Sequence, residues 1–362
     1  MRWELSEEQA DFRSVLRDWL QERCASAALR GWLDTGDPGP FEEQFAAEGW
    51  WGVGSPEELG GQGGGLVELA LAAGELGRAA APSSAWMGSV LAVPALANAP
   101  DAAKALLADG ITTVLAVRSG AVPALRPTVS DDGSGLTGSV GSVLGADRAR
   151  RLLVPVQQQN DTALVLVDAG SAHAEVRPRA LTDRTRTIGD ITLRGASGTP
   201  VAADAGAVLD QVALRAAVLT SADALGVTER MLEMTVEYAK QRHQFGVPIG
   251  SFQAVKHAAA QMLVQVESAR SIVYLAAASV QAGHPDAHLH AAAAKAQVTA
   301  GAAKAADTAL TLHGAIGYTW EYDLQLYYKR AMLDRVLFGA PSAWNERLAA
   351  ALDLVPEGSA AL

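Results

Sequence analysis

One cysteine, Cys24, stands in 362 residues. No intrachain disulfide can form and no cysteine metal site can be assembled, so a reducing compartment is the natural setting. Positive charge is also scarce: 29 Lys and Arg face 40 Asp and Glu, a formal net charge of −11. Nucleic acid and acidic membrane surfaces call for the opposite field, and neither is expected as a partner. No apolar stretch is long enough and free enough of charge to span a bilayer. The opening "MRWELSEEQADFRSVL" alternates charge with hydrophobe and does not read as a signal peptide, so the expected location is cytoplasmic.

Familiar catalytic signatures are missing too. Gly-x-Ser-x-Gly does not occur, and Cys24 has no recognisable nucleophile context. "GGQGGG" at 60–65 follows a Pro-Glu-Glu-Leu turn, and Leu66 stands where a dinucleotide fingerprint needs its third glycine. It reads as a structural turn. His284 and His288 are four apart and His290 follows, a spacing that one helix face could offer to zinc. Pro285, however, puts His284 in a turn between helices, and a solvated turn is the better reading.

What is there suits a sizeable core: 49% of residues are hydrophobic and 19% charged. Residues 5–24 read as an amphipathic helix, with Ser6 and Gln9 forming a capping box and Phe12, Val15, Leu16, Trp19 and Leu20 at helical spacing. Residues 41–48 look helical, 49–65 are too rich in Gly and Pro to be so, and helical patterning resumes from 66 to about 108. From 111 to 205 the runs "TTVLAV", "LLVPVQ", "TALVLVD" and "DITLRG" are short and β-rich, as in an antiparallel sheet or barrel. After 206 long alanine-rich helical runs return. The predicted fold class is α+β: an N-terminal helical domain (1–110), a middle β domain (111–205) and a C-terminal helical bundle (206–362).

Two stretches are not explained by helix packing. In "YAKQRHQFGVPIGSFQAVKH" (238–257) a helix breaks, leaving Arg242 beside Phe245 and Gly246. In "LHGAIGYTWEYDLQLYYKRA" (312–331) Gly314, Ala315 and Gly317 interrupt another. Glycine admits a ligand close to the backbone, a restarting helix offers N–H groups to an anion, and arginine supplies fixed charge. The pattern hints at a phosphate-bearing ligand.

At these stretches the sequence resembles the acyl-CoA dehydrogenase family. "LSEEQADFRSVLRDWL" is similar to the family's opening helix and "EGWWGVGSPEELGGQGGGLVELALAAGELGRAAAP" to its second segment. "RHQFGVPIGSFQAVKHAAAQM" and "LHGAIGYTWEYDLQLYYKRA" resemble two C-terminal motifs. The resemblance implies an acyl-CoA dehydrogenase-like fold, with N-terminal helices, a middle antiparallel β-barrel and a C-terminal four-helix bundle. It also implies FAD-dependent removal of hydrogen from Cα and Cβ of an acyl-CoA, with electron-transfer flavoprotein as acceptor. In the family's dimers one subunit surrounds the flavin, and its neighbour reaches over to the ADP half. By that resemblance Arg242 pairs with the pyrophosphate, Phe245, Ile249 and Gln253 pack nearby, and Gly314, Ala315 and Gly317 form the glycine-rich turn.

The departures are concentrated. Thr311 replaces the glutamine ahead of the glycine turn. The two positions at which the family carries its catalytic glutamate fall on Phe338 and on Ala216. "LAVRSG" and "GSVLGADRA" stand for the flavin- and substrate-cradling motifs of the middle domain and lack their polar residues. The losses strip the half-site that holds flavin in cis and spare much of the one offered in trans. The chain resembles the base-lacking subunit of actinobacterial heterotetramers that act on CoA esters of steroid side chains, its partner being a paralogous chain in a 2:2 complex. Two other readings stay open. One is a self-sufficient homo-oligomeric dehydrogenase with an unplaced base, Glu321 and Asp334 being the nearest candidates by sequence, although Glu321 is expected to cap the restarting helix. The other is a scaffold without flavin.

Overall fold

The computed structural model describes residues 4–96, 99–108, 112–123, 127–131, 133–158, 161–202 and 205–352. Its first part is helical: α1 (Glu7–Arg23), α2 (Ser26–Thr35), α3 (Gly39–Ala47), α4 (Leu66–Arg78), α5 (Ser84–Ala92) and α6 (Pro100–Ala108). Helix α1 starts at the capping box expected from sequence, with Gln9 N–H donating to Ser6 Oγ and Ser6 N–H to Gln9 Oε1. Its apolar stripe meets α3, where Trp19, Phe41 and Phe45 pack ring against ring at 5.5–5.9 Å.

The middle part is a sheet of β1 (Thr113–Leu115), β2 (Val129–Asp131), β3 (Leu136–Leu144), β4 (Arg151–Gln158), β5 (Asp161–Asp168), β6 (Ala174–Arg179), β7 (Ile188–Ala196) and β8 (Thr199–Ala202). The order is β6-β7-β3-β2-β4-β5-β8, with β1 also on β4. This corrects the expected antiparallel barrel in two ways. Strands β1 and β2 both run parallel to β4, Val114 opposite Leu152 and Val129 opposite Val156. Among the described residues β6 and β8 end the path without pairing each other, so the sheet is open. Glu175, Arg177 and Arg179 arm the edge strand β6 with charge, which discourages further pairing. The expected boundary at 110/111 lies outside the described residues.

The last part comprises α7 (Gly206–Gln241), a short hairpin of β9 (His243–Gln244) and β10 (Val247–Pro248), then α8 (Gln253–Gln281), α9 (Ala287–His313), α10 (Leu324–Val336) and α11 (Pro341–Ala350). Helices α7 to α10 form the expected bundle, and small side chains bring their axes close. Helix α4 packs on α7 closely enough that a Cβ on Gly226 would lie 1.8 Å from the Gly74 carbonyl oxygen. Only glycine fits there.

That close crossing sets Asp223 of α7 in the middle of the molecule. Arg186 Nη2 donates to Asp223 Oδ2 at 2.6 Å, and Arg330 of α10 donates from Nε to Oδ1 at 3.0 Å. All three side chains are fully buried. Arg330 also donates to Thr185 Oγ1, the Ala81 carbonyl and Ser83 Oγ. One guanidinium thus ties the α4–α5 link, the segment before β7, and both α7 and α10. Burial pushes the Asp223 carboxyl up, but Arg186 and Arg330 outweigh it and hold it below its usual range. Asp334, equally buried beside Asp223, has no hydrogen-bond donor on either side-chain oxygen among the described residues. Burial first, and then the Asp223 charge, push its carboxyl well above the usual range.

The signs of these shifts separate two substitutions. Asp223 contributes stability above its unfolded pKa, about 3.9, that is lost as pH falls through its lower folded value. Asp223→Asn leaves two buried guanidiniums short of a counter-charge and should cost about 3–5 kcal/mol. Because burial raises the Asp334 carboxyl, its contribution to stability worsens as pH rises above about 3.9, where the unfolded chain releases the proton. Asp334→Asn should match or exceed the parent in stability at pH 7, with the gap closing toward pH 4. Urea unfolding of both variants at pH 4 and pH 7 checks the pair.

Candidate functional site

The break after α7 is a tight hairpin. Arg242 N–H still donates to the Tyr238 carbonyl, but its backbone turns extended (φ −76°, ψ 123°). Gln244 pairs with Val247 across Phe245 and Gly246, whose φ values are +53° and +80°. Two successive positive φ values are what a two-residue hairpin needs to follow strand twist. Gly246 adopts that conformation freely; a phenylalanine does so at a cost of roughly 1–2 kcal/mol. The turn leaves Phe245 93% exposed, touching Phe252 edge-on at 6.1 Å. Arg242 is exposed and makes no ion pair or side-chain hydrogen bond among the described residues. Ile249, half-buried, donates its N–H to the Arg242 carbonyl at 2.8 Å, and Gln253 opens α8, exposed.

The second stretch meets the first. Helix α9 ends at His313, Gly314 turns with φ +66°, and a 3-10 turn runs on to Tyr318. Gly314 and Ala315 are exposed, whereas Gly317 is buried with no room for a side chain against Leu310. Tyr238, one helical turn before Arg242, stacks on His313 at 4.5 Å and 24°. His313 Nδ1 lies 2.7 Å from the Ala309 carbonyl, which can only accept, so Nδ1 carries the proton. Nε2 is then free to accept from the Tyr322 hydroxyl at 3.2 Å. Burial holds the imidazole pKa below its ordinary value and keeps this neutral tautomer. Thr311, by contrast, directs its hydroxyl into its own helix, donating to the Asp307 carbonyl at 2.8 Å.

The two positions expected by resemblance to match the family's base hold no carboxylate and are buried. Ala216 is fully buried. Phe338 is buried with φ +54°, its N–H donating to the Ser119 carbonyl at 2.5 Å and its carbonyl accepting from Trp344 Nε1 at 3.0 Å. Ser119 in turn donates both N–H (2.9 Å) and Oγ (2.5 Å) to the Ser142 carbonyl. Ser142 sits at a register shift in β3 with φ +57°, and its N–H donates to Asp190 Oδ1 at 2.7 Å. The segments at the base position, "LAVRSG" and "GSVLGADRA" are therefore hydrogen-bonded to one another in series.

Neither alternative base is well set. Asp334 is inaccessible in the ion cluster. Glu321 is exposed and does not cap α10: the N-cap is Asp323, without a side-chain cap bond. The capping role expected for Glu321 fails because the chain makes two further turn residues before the helix restarts, and Arg30 takes the Glu321 carbonyl and the Asp323 carboxylate. Sequence reading missed Ser119, Ser142 and the Tyr238–His313–Tyr322 stack, since no spacing rule joins residues so far apart. Among the described residues no cluster of three or more metal-ligating side chains occurs, and no helix is long and apolar enough to cross a membrane.

N-terminal helices, an open mixed sheet and a C-terminal four-helix bundle, in that order, are the architecture expected of the family the sequence resembles, and comparison with known proteins agrees. The profile for the acyl-CoA dehydrogenase N-terminal domain matches residues 6–108, and that for the C-terminal domain residues 208–352. The chain belongs to the acyl-CoA dehydrogenase family. It is 35% identical over 296 residues to acyl-CoA dehydrogenase IpdE2 of Mycobacterium tuberculosis, covering 81% of this chain and 80% of that one. It is 32% identical over 359 residues to FadE34 of the same organism, covering 96% of this chain but 48% of that protein. Among solved structures, a Tcur3481–Tcur3483 steroid ACAD variant superposes with a TM-score of 0.85 at 27% identity over 95% of this chain and 97% of that one. The ChsE4–ChsE5 complex from Mycobacterium tuberculosis gives 0.87 at 25% over 98% and 100%.

The strain at Phe245 yields a clean test of the hairpin. Phe245→Gly removes a side chain that supports almost nothing and relieves a positive φ, so the isolated chain should be unchanged or stabilised by up to about 1 kcal/mol. Differential scanning calorimetry of the two proteins measures it. A loss of several degrees in Tm would mean that the ring packs in solution against something within its own chain.

Proposed function

We propose that this chain is the base-lacking subunit of a heteromeric, FAD-dependent acyl-CoA dehydrogenase, completing the flavin site of a paralogous partner. One contrast carries the reading. The segments that would enclose a flavin in cis are hydrogen-bonded to each other with Phe338 among them, while Arg242, Phe245, Gln253, Gly314 and Ala315 are exposed and the Arg242 guanidinium has no ion pair among the described residues.

The donor set suits the ADP half of FAD. Arg242 offers an uncommitted guanidinium to the pyrophosphate, the Gly314–Ala315 turn offers accessible backbone beside buried Gly317, and Phe245, Ile249 and Gln253 pack around it. Tyr238 and His313 hold the two segments in register. The cis cleft does not suit the isoalloxazine. When bound in the partner, FAD supplies the acceptor for hydride from Cβ of the acyl-CoA. This chain's own residues orient and retain it, and the general base that takes the Cα proton comes from the partner.

Names and lengths of relatives favour the same reading. The Tcur3481–Tcur3483 and ChsE4–ChsE5 structures are each titled with two components, and the first is titled a steroid ACAD. FadE34 is about twice as long as its match to this chain, leaving a length that would fit a second unit of similar size. A CoA ester of a steroid side chain is the substrate class this points to, with electron-transfer flavoprotein as acceptor and the cytoplasm as location. A scaffold without flavin is the second reading, favoured by the self-bonded Thr311 hydroxyl.

Alone, the chain should show no acyl-CoA dehydrogenase turnover, since a missing general base alone typically costs about two to four orders of magnitude. Co-expressed with the paralogue it should form a 2:2 tetramer holding one FAD per heterodimer, read by native mass spectrometry and flavin absorbance. Arg242→Ala in that complex removes a charge-assisted contact worth on the order of 1.5–3 kcal/mol, or roughly tenfold to more than a hundredfold in FAD affinity. Phe338→Glu should leave the isolated chain inactive, because geometry precedes pKa for a base. Turnover by that single variant, with Arg242→Ala retaining FAD normally, would replace this reading with a self-sufficient enzyme. A flavin-free tetramer would favour the scaffold.

A further inference from the structure

On the outer face of β3, β7 and β6 lies a groove of about 440 Å³ that shares Ser142 with the series closing on Phe338 but whose arginines none of the preceding chemistry uses. Strand alternation puts Val140, Ile191 and Leu193 into the core beneath it and turns the neighbouring residues outward. What faces out is arginine from three separate places: Arg177 and Arg179 on β6, Arg194 on β7, and Arg118 from the segment after β1. In a chain of net charge −11 this is a local reversal of sign.

Their partners do not neutralise them. Arg177 and Arg194 share the single carboxylate of Glu175, at 3.1 and 3.0 Å. Arg179 stands 3.6 Å from Asp190, whose Oδ1 already accepts the Ser142 N–H, and donates to Ser142 Oγ at 2.9 Å. Arg118 is exposed and has neither ion pair nor side-chain hydrogen bond among the described residues. Four guanidiniums thus face two carboxylates. Charged residues on β6 are accounted for by edge protection, but Arg194 lies on an interior strand and Arg118 outside the sheet edge, so edge protection does not explain the cluster.

The bulge at Ser142 fixes the concavity. Its positive φ turns the backbone so that the carbonyl is held by Ser119, the N–H by Asp190 and the hydroxyl by Arg179. The groove floor is therefore set by the same hydrogen bonds that close the cleft beside Phe338. No aromatic side chain lines it, so it has no platform on which a base could stack. Recognition here is of charge and of oxygen geometry, and planar guanidiniums match a phosphate with paired N–H donors.

The geometry points to a site for a dianionic phosphate monoester, whose two charges balance the two uncompensated arginines. Two sources carry that chemistry: free phosphate, and the 3′-phosphate of a coenzyme A. Calorimetric titration of the purified chain with inorganic phosphate, coenzyme A and dephospho-coenzyme A distinguishes them. The readout needs no flavin, partner or turnover, so it stands whether or not the chain completes a partner's FAD site.

Coenzyme A binding at least tenfold tighter than dephospho-coenzyme A assigns the groove to the monoester of the larger ligand. Phosphate binding without that preference assigns it to the free ion. In either case Arg118→Ala and Arg179→Ser should each weaken binding about tenfold or more, and raised salt should weaken it further. Arg335→Ala, an exposed arginine outside the groove, should change nothing. Absence of binding by all three compounds at millimolar concentration, or binding indifferent to Arg118→Ala and Arg179→Ser, overturns the proposal. Arg118 supports nothing in the fold, so its variant reports on the ligand and not on stability.

Discussion

The fold depends on one carboxylate. Asp223 is the point at which the N-terminal helices, the sheet and the C-terminal bundle are referred to each other, because Arg186 and Arg330 converge on it from different parts of the chain. A buried ion pair contributes little net stability compared with an apolar core of the same volume, but breaking one leaves an uncompensated charge. Its value lies in register. Arg330 reads the position of the α4–α5 link through Ala81 and Ser83 while it holds α7, so neither layer can slide without losing a hydrogen bond. Gly226 and Gly74 make the arrangement feasible by letting α4 and α7 approach to backbone contact.

From that frame the two halves of the candidate site diverge. On one side Phe338, Ser119 and Ser142 form a chain of short hydrogen bonds across the cleft between bundle and sheet. Phe338 and Ser142 both hold positive φ, a strained backbone that persists only where the surroundings over-determine it. On the other side the hairpin at Phe245 is equally strained, yet among the described residues its exposed ring meets only Phe252 edge-on. Strain supported by internal bonds belongs to a closed structure.

Much of this was legible in the sequence because it was local. The Ser6–Gln9 box, the β-rich runs between 111 and 205 and the breaks at Arg242 and Gly314 are all written within a few residues of where they act. The missing carboxylates at Phe338 and Ala216 were legible by resemblance. What sequence could not show was non-local. The open, mixed sheet follows from β1 and β2 sharing one edge of β4, a pairing no alternation pattern specifies. The Phe338–Ser119–Ser142 series joins residues more than two hundred positions apart, and serine carries no signal for it. Glu321 was misread because its neighbour Asp323 takes the cap position.

The N-terminal half of α8 has a consequence for the life of the chain before assembly. Leu263 and Val264 stand exposed in it and Phe252 at its cap, as do Phe245 and Val247 on the hairpin just before. Exposed apolar side chains in this number favour association in a crowded solution, and water gains by their removal whichever surface covers them. A copy that emerges from the ribosome without a mate therefore competes between docking and clumping. Under the proposed assembly, matched synthesis of the partner chain would then be part of how this polypeptide stays in solution.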